Sequence, residues 1–203
     1  MQRFSTTLVA EGSSDQALIP LIEFVLDEHC RIPHVTTFAA EVSAGKLHDR
    51  VAQALILYPC DLLFVHRDAD RESVSQREGE IRAAVRLIGA PTPICLIPVR
   101  MTEAWLLADE MAIRRASGNT AGTANLGLPP VSRLETQADP KGLLFAALDR
   151  ASELGPHRLR RFDRYQARRQ ISGFMDDHSV LRGIPSFTHF ESQVREFFLR
   201  FAG

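Results

Sequence analysis

Asp61-Leu-Leu-Phe-Val-His-Arg-Asp-Ala-Asp70 decides the fold. Leu62 to His66 is a short, nearly continuous apolar run, the pattern of a parallel strand buried on both faces. Two acids one position apart follow it, and at a strand end that spacing is expected to aim both carboxylates the same way. Asp68 and Asp70 so placed make a seat for a hard divalent cation. Oxygen ligands suit Mg²⁺, Mn²⁺ or Ca²⁺, and two adjacent carboxylates otherwise repel each other. The same spacing also begins turns and caps helices, so alone it leaves both readings open.

Upstream, the β-branched and apolar run Phe4 to Ala10 stops at Glu11-Gly12-Ser13-Ser14-Asp15, a strand, a glycine turn and a helix start. Ser13 and Gln16 fit a capping box, and Pro20 implies a kink or restart in a helix that continues to about Asp27. Glu11 then projects from the carboxyl end of the first strand, where ligands of open parallel sheets gather. Asp15 falls in the first helical turn, which favours an acid with or without a ligand. A second strand is expected between His34 and Val42, then a helix carrying Leu47, Val51, Ala54, Leu55 and Tyr58 on one side. Downstream, Ile81, Ala84, Val85 and Ile88 mark another helix, closed by Gly89, and Pro93 to Val99 is the next strand. Strand and helix alternate, the signature of a mostly parallel, Rossmann-like α/β sheet flanked by helices.

Thr102 is placed to cap a short helix that begins with Glu103 and buries Trp105. Glu103 again lies at a strand's carboxyl end, although helix N-termini attract acids regardless of function. The Gly-, Pro- and Thr-rich stretch from Asn119 to Asp139 reads as a long, mobile loop over a site. Asp139-Pro140-Lys141 opens a helix with an inner face of Leu143, Leu144, Ala147, Leu148 and Ala151, and puts Lys141 where the dipole disfavours a cation. Between Arg150 and Gln170 seven arginines (150, 158, 160, 161, 164, 168 and 169) face only Glu153 and Asp163. That stretch is either a solvated helix face or a phosphate-binding patch, with Arg158, Arg160, Arg161 and Arg164 the candidates for nucleic acid. Thr188-x-x-Glu191 is a second capping box, before a stripe of Val194, Phe197, Phe198 and Phe201. The division expected is an α/β core over residues 1–118 and a loop with a mainly helical C-terminal extension over 119–203.

The 203 residues carry a net charge of −1, which excludes coating nucleic acid by bulk electrostatics and leaves local patches. Cys30, Cys60 and Cys95 are odd in number, far apart and outside metal-finger spacing, so structural zinc is not expected. With no apolar stretch of membrane length and no signal-peptide pattern at the N-terminus, a cytoplasmic protein without a membrane partner is the expectation.

Taken together, Glu11-Gly12 after the first strand, Asp68-x-Asp70 after a later one and the alternation between them resemble the TOPRIM domain of topoisomerases, primases and OLD-type nucleases. Val9-Ala-Glu-Gly-Ser-Ser-Asp15, His66-Arg-Asp-Ala-Asp70, Glu103-Ala-Trp-Leu-Leu-Ala-Asp109 and Asp139-Pro-Lys141, in this order, look like a small bacterial TOPRIM-like family related to the OLD nucleases. The resemblance implies that Glu11 is a general acid or base and that Asp68 and Asp70 bind Mg²⁺ or Mn²⁺. It makes Asp15 and Glu103 candidates for a second metal position and Lys141 a catalytic contact to phosphate. Topoisomerases need further domains with a strand-cleaving tyrosine, and primases of this class usually bring a zinc module. What remains is a metal-dependent nuclease acting on nucleic acid, with DNA ahead of RNA and neither excluded, and the resemblance implies bacterial defence or repair beside a separately encoded ATPase. Two alternatives stand: a metal-binding regulatory module without turnover, and a phosphatase of the haloacid-dehalogenase type. The latter usually carries its Asp-x-Asp on the first strand.

Overall fold

Alternation along the strands sorts their side chains into two layers. Phe4, Leu8, Leu62, Phe64, Ile94 and Leu96 enter one apolar cluster, whereas Val9, Leu63, Val65 and Cys95 enter a second. That period-two division is what a sheet covered on both faces requires. The computed structural model describes residues 3–39 and 45–201. In it the strands are β1 (Phe4–Val9), β2 (His34–Phe38), β3 (Leu62–His66) and β4 (Ile94–Leu96). They pair in parallel in the order β2-β1-β3-β4. The last strand is shorter than the 93–99 span expected, and Val42 lies outside the described residues.

Parallel strands need crossovers, and the right-handed rule fixes where the helices go. The chain steps one way from β1 to β2, then returns past β1 to β3 and β4. Helix α1 (Ile19–His29) therefore packs Leu21, Ile22, Val25 and Leu26 into the first cluster. Helices α2 (Leu47–Leu57) and α3 (Val74–Leu87) send Val51, Ala54, Ile81 and Val85 into the second. The reversal opens a crevice at the carboxyl ends of β1 and β3, the position where such sheets hold ligands. Pro20 acts as a restart: a 3-10 turn over Ser13–Leu18 ends and α1 begins with the proline in its first turn, where no N–H is needed.

Six helices follow among the described residues: α4 (Glu103–Leu106), α5 (Glu110–Ala116), α6 (Pro140–Ser152), α7 (Pro156–Leu159), α8 (Arg164–Gln170) and α9 (Pro185–Phe201). Asp109, Asp139 and Asp163 cap α5, α6 and α8 by accepting backbone N–H bonds from Ala112, Gly142 and Gln166. The C-terminal part shares the core of the sheet. Leu144, Leu148, Phe187, Phe190 and Val194 lie in the same cluster as Leu8 and Phe64, each buried side chain contributing about 1.5–3 kcal/mol. Trp105 is fully buried there, donating Nε1–H to Ser186 Oγ at 2.8 Å. Gln193 of α9 accepts from Cys95 N–H at 3.1 Å and donates to Cys95 C=O at 3.0 Å, so the side chain completes the outer hydrogen bonds of edge strand β4.

Two expectations change. The 119–139 stretch is anchored: Leu126 and Leu134 are buried, Glu153 accepts from Thr123 and Ala124 N–H, and Arg150 donates to Leu126 C=O. Helix α9 starts at Pro185, three residues before Thr188, because proline presets the first-turn φ. Thr188 instead donates its hydroxyl to Arg182 and Ile184 carbonyls, and Glu191 is taken by Arg182 and His29. No helix among the described residues is long and apolar enough to cross a membrane.

Candidate functional site

Strands β1 and β3 end side by side, and their register explains the first contact. Val9 pairs with Val65, so two residues further on Glu11 comes level with Arg67. Arg67 Nε donates to Glu11 Oε1 at 2.9 Å and its Nη1 to Glu80 Oε2 of α3 at 3.0 Å. His66 and Asp68 have the opposite parity and turn to the other face. There Asp68 Oδ1 accepts the Thr102 N–H at 2.8 Å and lies 3.3 Å from both Thr102 Oγ1 and His66 Nε2. Thr102, expected only as a helix cap, makes no side-chain cap bond and orients this carboxylate.

His66 is the buried centre of the arrangement. Its Nε2 faces Thr102 and Asp68, and its Nδ1 is 3.5 Å from Asp15 Oδ2. At that distance Nδ1 has no regular hydrogen-bond partner, and the attraction between the ring and the Asp15 carboxylate holds the pair together. Burial alone would lower the ring's pKa, but Asp15 and Asp68 push it up to about 9, which keeps an imidazolium between two carboxylates at neutral pH. Burial works to raise the Asp15 carboxyl, yet His66, the Gly12 N–H and Arg168 hold it below the ordinary value. Asp15 Oδ2 accepts from Gly12 N–H at 2.9 Å. The helix start is thus closed by Asp15 on Gly12, one residue earlier than the Ser13–Gln16 box expected.

From α8, Arg168 reaches in. Its Nε donates to Glu103 Oε1 at 2.7 Å, its Nη1 to Ser14 C=O at 2.7 Å, and its Nη2 stands 3.8 Å from Asp15 Oδ1. Arg168 and Glu103 are both only 4% exposed, so their charges compensate each other away from water. The outcome is one cleft of about 310 Å³ lined by Glu11, Asp15, Asp68, Glu103, Lys141 and Arg168. Lys141 has no carboxylate within 4.0 Å among the described residues; its Nζ stands 5.4 Å from the Tyr165 ring centre and 5.8 Å from that of Phe145.

Asp70 is not in that cleft. Strand β3 stops at His66, and Asp70 has a left-handed φ of 55°, so the alternation that would aim it with Asp68 has lapsed. Its N–H donates to the carbonyl of Arg100, itself at φ 63°, at 2.9 Å, and it lines an adjoining depression with Arg77 and Arg100. Met101 borders both hollows. Of the four basic candidates, Arg158, Arg160 and Arg161 are exposed, while Arg164 is paired with Asp149 at 2.7 Å.

The donors are all oxygens, the set that Mg²⁺ or Mn²⁺ takes. Glu11, Asp68 and Glu103 each have one oxygen engaged and a second without a protein partner among the described residues. Asp15 has both engaged, which suits orientation of His66 better than ligation. These acids do not form a closed cage. Among the described residues, the group that brings three ligand atoms within 4.8 Å of one another is Glu28, His29 and Glu191, which border a different depression.

Compared with family models, curated proteins and solved structures, the chain finds no match. Geometry and motif order therefore carry the functional reading. Sequence reasoning passed over His66, Arg67, Thr102 and Arg168. A histidine ending an otherwise apolar strand was the available signal for the first; the others depend on which elements pack together.

Proposed function

We propose that the cleft is a TOPRIM-like, metal-dependent phosphodiesterase centre that cuts nucleic acid. One observation carries this reading: Glu11 and Asp68, from the ends of neighbouring strands, open into one cleft at the topological switch point of the sheet. Asp68 with Glu103 would hold Mg²⁺ or Mn²⁺, which when bound would supply charge stabilisation to the oxygens of a phosphodiester under attack. The chain's own groups do the rest. His66 and Thr102 fix Asp68, Arg67 fixes Glu11, and Arg168 fixes Glu103. Glu11, the more exposed acid, takes or gives the proton, and Lys141 contacts a phosphate oxygen. Asp70, at the adjoining depression, stays outside the proposed ligand set, and the ATPase partner rests on the resemblance alone.

The test is cleavage of labelled DNA and RNA strands with Mg²⁺ or Mn²⁺ in turn. The wild-type chain cuts; Asp68→Asn and Glu11→Gln lower the rate by roughly 100-fold or more, the scale of a lost proton-transfer group or ligand. An absence of cutting with either metal, or cutting that survives both substitutions, sinks the reading. The second reading, a metal-responsive module without turnover, draws on the open spacing of the acids. It predicts metal binding at Asp68 with no cleavage.

A further inference from the structure

We propose that Tyr165 is a stacking platform at the lip of the cleft, and that the substrate is therefore a single strand whose bases are free to unstack. The inference rests on the nucleic-acid reading above and narrows its substrate class. Tyr165 is 55% exposed. A lone exposed aromatic ring is ordinary, but this one is held and placed. The Phe145 ring meets it edge-on with centroids 5.1 Å apart and planes at 81°. The Lys141 ammonium sits 5.4 Å from its centroid, and Lys141 itself lines the cleft. One turn further along α8 is Arg168, which grips Glu103 inside the same cleft. Tyr165 thus adjoins the cleft through Lys141 and through the helix that also carries Arg168.

Charge supports the same ligand. Lys141 has no carboxylate partner among the described residues, and the chain just before α8 presents Arg158, Arg160 and Arg161 to solvent. A groove that tracks a phosphate backbone beside an aromatic face is how single strands are bound without sequence preference, because every base offers a π-face. Bases in an intact duplex are already stacked and cannot lie on such a ring.

The experiment measures anisotropy of a fluorescein-labelled single strand with the full chain, in EDTA and again with Ca²⁺. Tyr165→Phe, which keeps the ring, binds like wild type; Tyr165→Leu binds about tenfold more weakly, the usual scale of one lost base stack. An abasic strand of equal length is bound as weakly by wild type as by Tyr165→Leu, and a duplex shows no difference between them. Circular dichroism melts check that both variants fold. Equal binding of normal and abasic strands by wild type overturns the inference. So does a loss in Tyr165→Leu that is the same for both strands, since the ring would then act only by placing Lys141. Ring-dependent single-strand binding without metal-dependent cutting would sustain this inference while the hydrolytic reading fails. Metal-dependent cutting that Tyr165→Leu leaves unchanged would do the reverse.

Discussion

The chain gathers acids in two places, and they differ in what their arginine does. On α1 and α9, Glu28, His29 and Glu191 stand close enough for three ligand atoms to meet, but Arg182 bonds both glutamates directly. At the ends of β1 and β3 the acids are further apart. Arg67, His66 and Arg168 there engage one oxygen each of Glu11, Asp68 and Glu103 and leave the other. Closeness of ligands is therefore a poor guide. In the first cluster one arginine takes both oxygens of Glu191 and one of Glu28, whereas in the second three separate groups each take one oxygen and leave one over on every acid.

Removing each arginine separates the two most sharply. Arg168→Met leaves Glu103 buried without its partner and should cost about 3–5 kcal/mol, the scale for breaking a buried pair. Arg182 is 38% exposed along its side chain, so water replaces much of what it gives, and Arg182→Met should cost about 1 kcal/mol. Urea unfolding of both variants checks this, and equal losses would erase the distinction between a buried frame and a surface cluster.

Metal binding divides the sites next. Calorimetric titration with Mn²⁺ should show one binding event, weakened at least about tenfold in Asp68→Asn and unchanged in Glu191→Gln. The opposite assignment would move the metal to α1 and α9. A smaller effect tests the frame behind Asp68. Thr102→Val removes the hydroxyl but keeps the N–H bond of 2.8 Å, so stability should fall by about 1 kcal/mol and Mn²⁺ affinity should fall too. Unchanged Mn²⁺ affinity would show that the hydroxyl does not orient the carboxylate.

Why the fold was more legible than the site follows from the same residues. The runs Phe4 to Ala10 and Leu62 to His66 declare themselves because buried parallel strands are locally apolar. Glu11 and Asp68 follow from them, since a strand end is a position and the parallel sheet sets the ends level. Asp70 shows where that logic stops: its left-handed backbone, two residues into the turn, is not written in the spacing of Asp-x-Asp. Arg168 was one of seven arginines in a segment read for its charge, and only the packing of α8 beside the turn at Ser13–Leu18 turns it inward. Thr102 reads as a cap because local rules name caps, while the acceptor that claims its N–H comes from the loop beyond β3, far away along the chain.

The last and smallest prediction concerns what holds Glu191. The Arg182 hydrogen bonds keep its carboxyl below the ordinary value against the opposing effect of burial, with His29 adding to the same side. A depressed folded pKa contributes stability that is complete above the unfolded value near 4.5 and is lost as pH falls through the folded one. Wild type should therefore exceed Glu191→Gln by about 1 kcal/mol at neutral pH. The two urea midpoints should converge only in acid below about pH 4.5. Midpoints that already coincide at neutral pH would instead mean that Arg182 gives Glu191 nothing in solution. Glu191 would then keep its oxygens available, and the cluster on α1 and α9 would match the cleft acids in spare binding capacity.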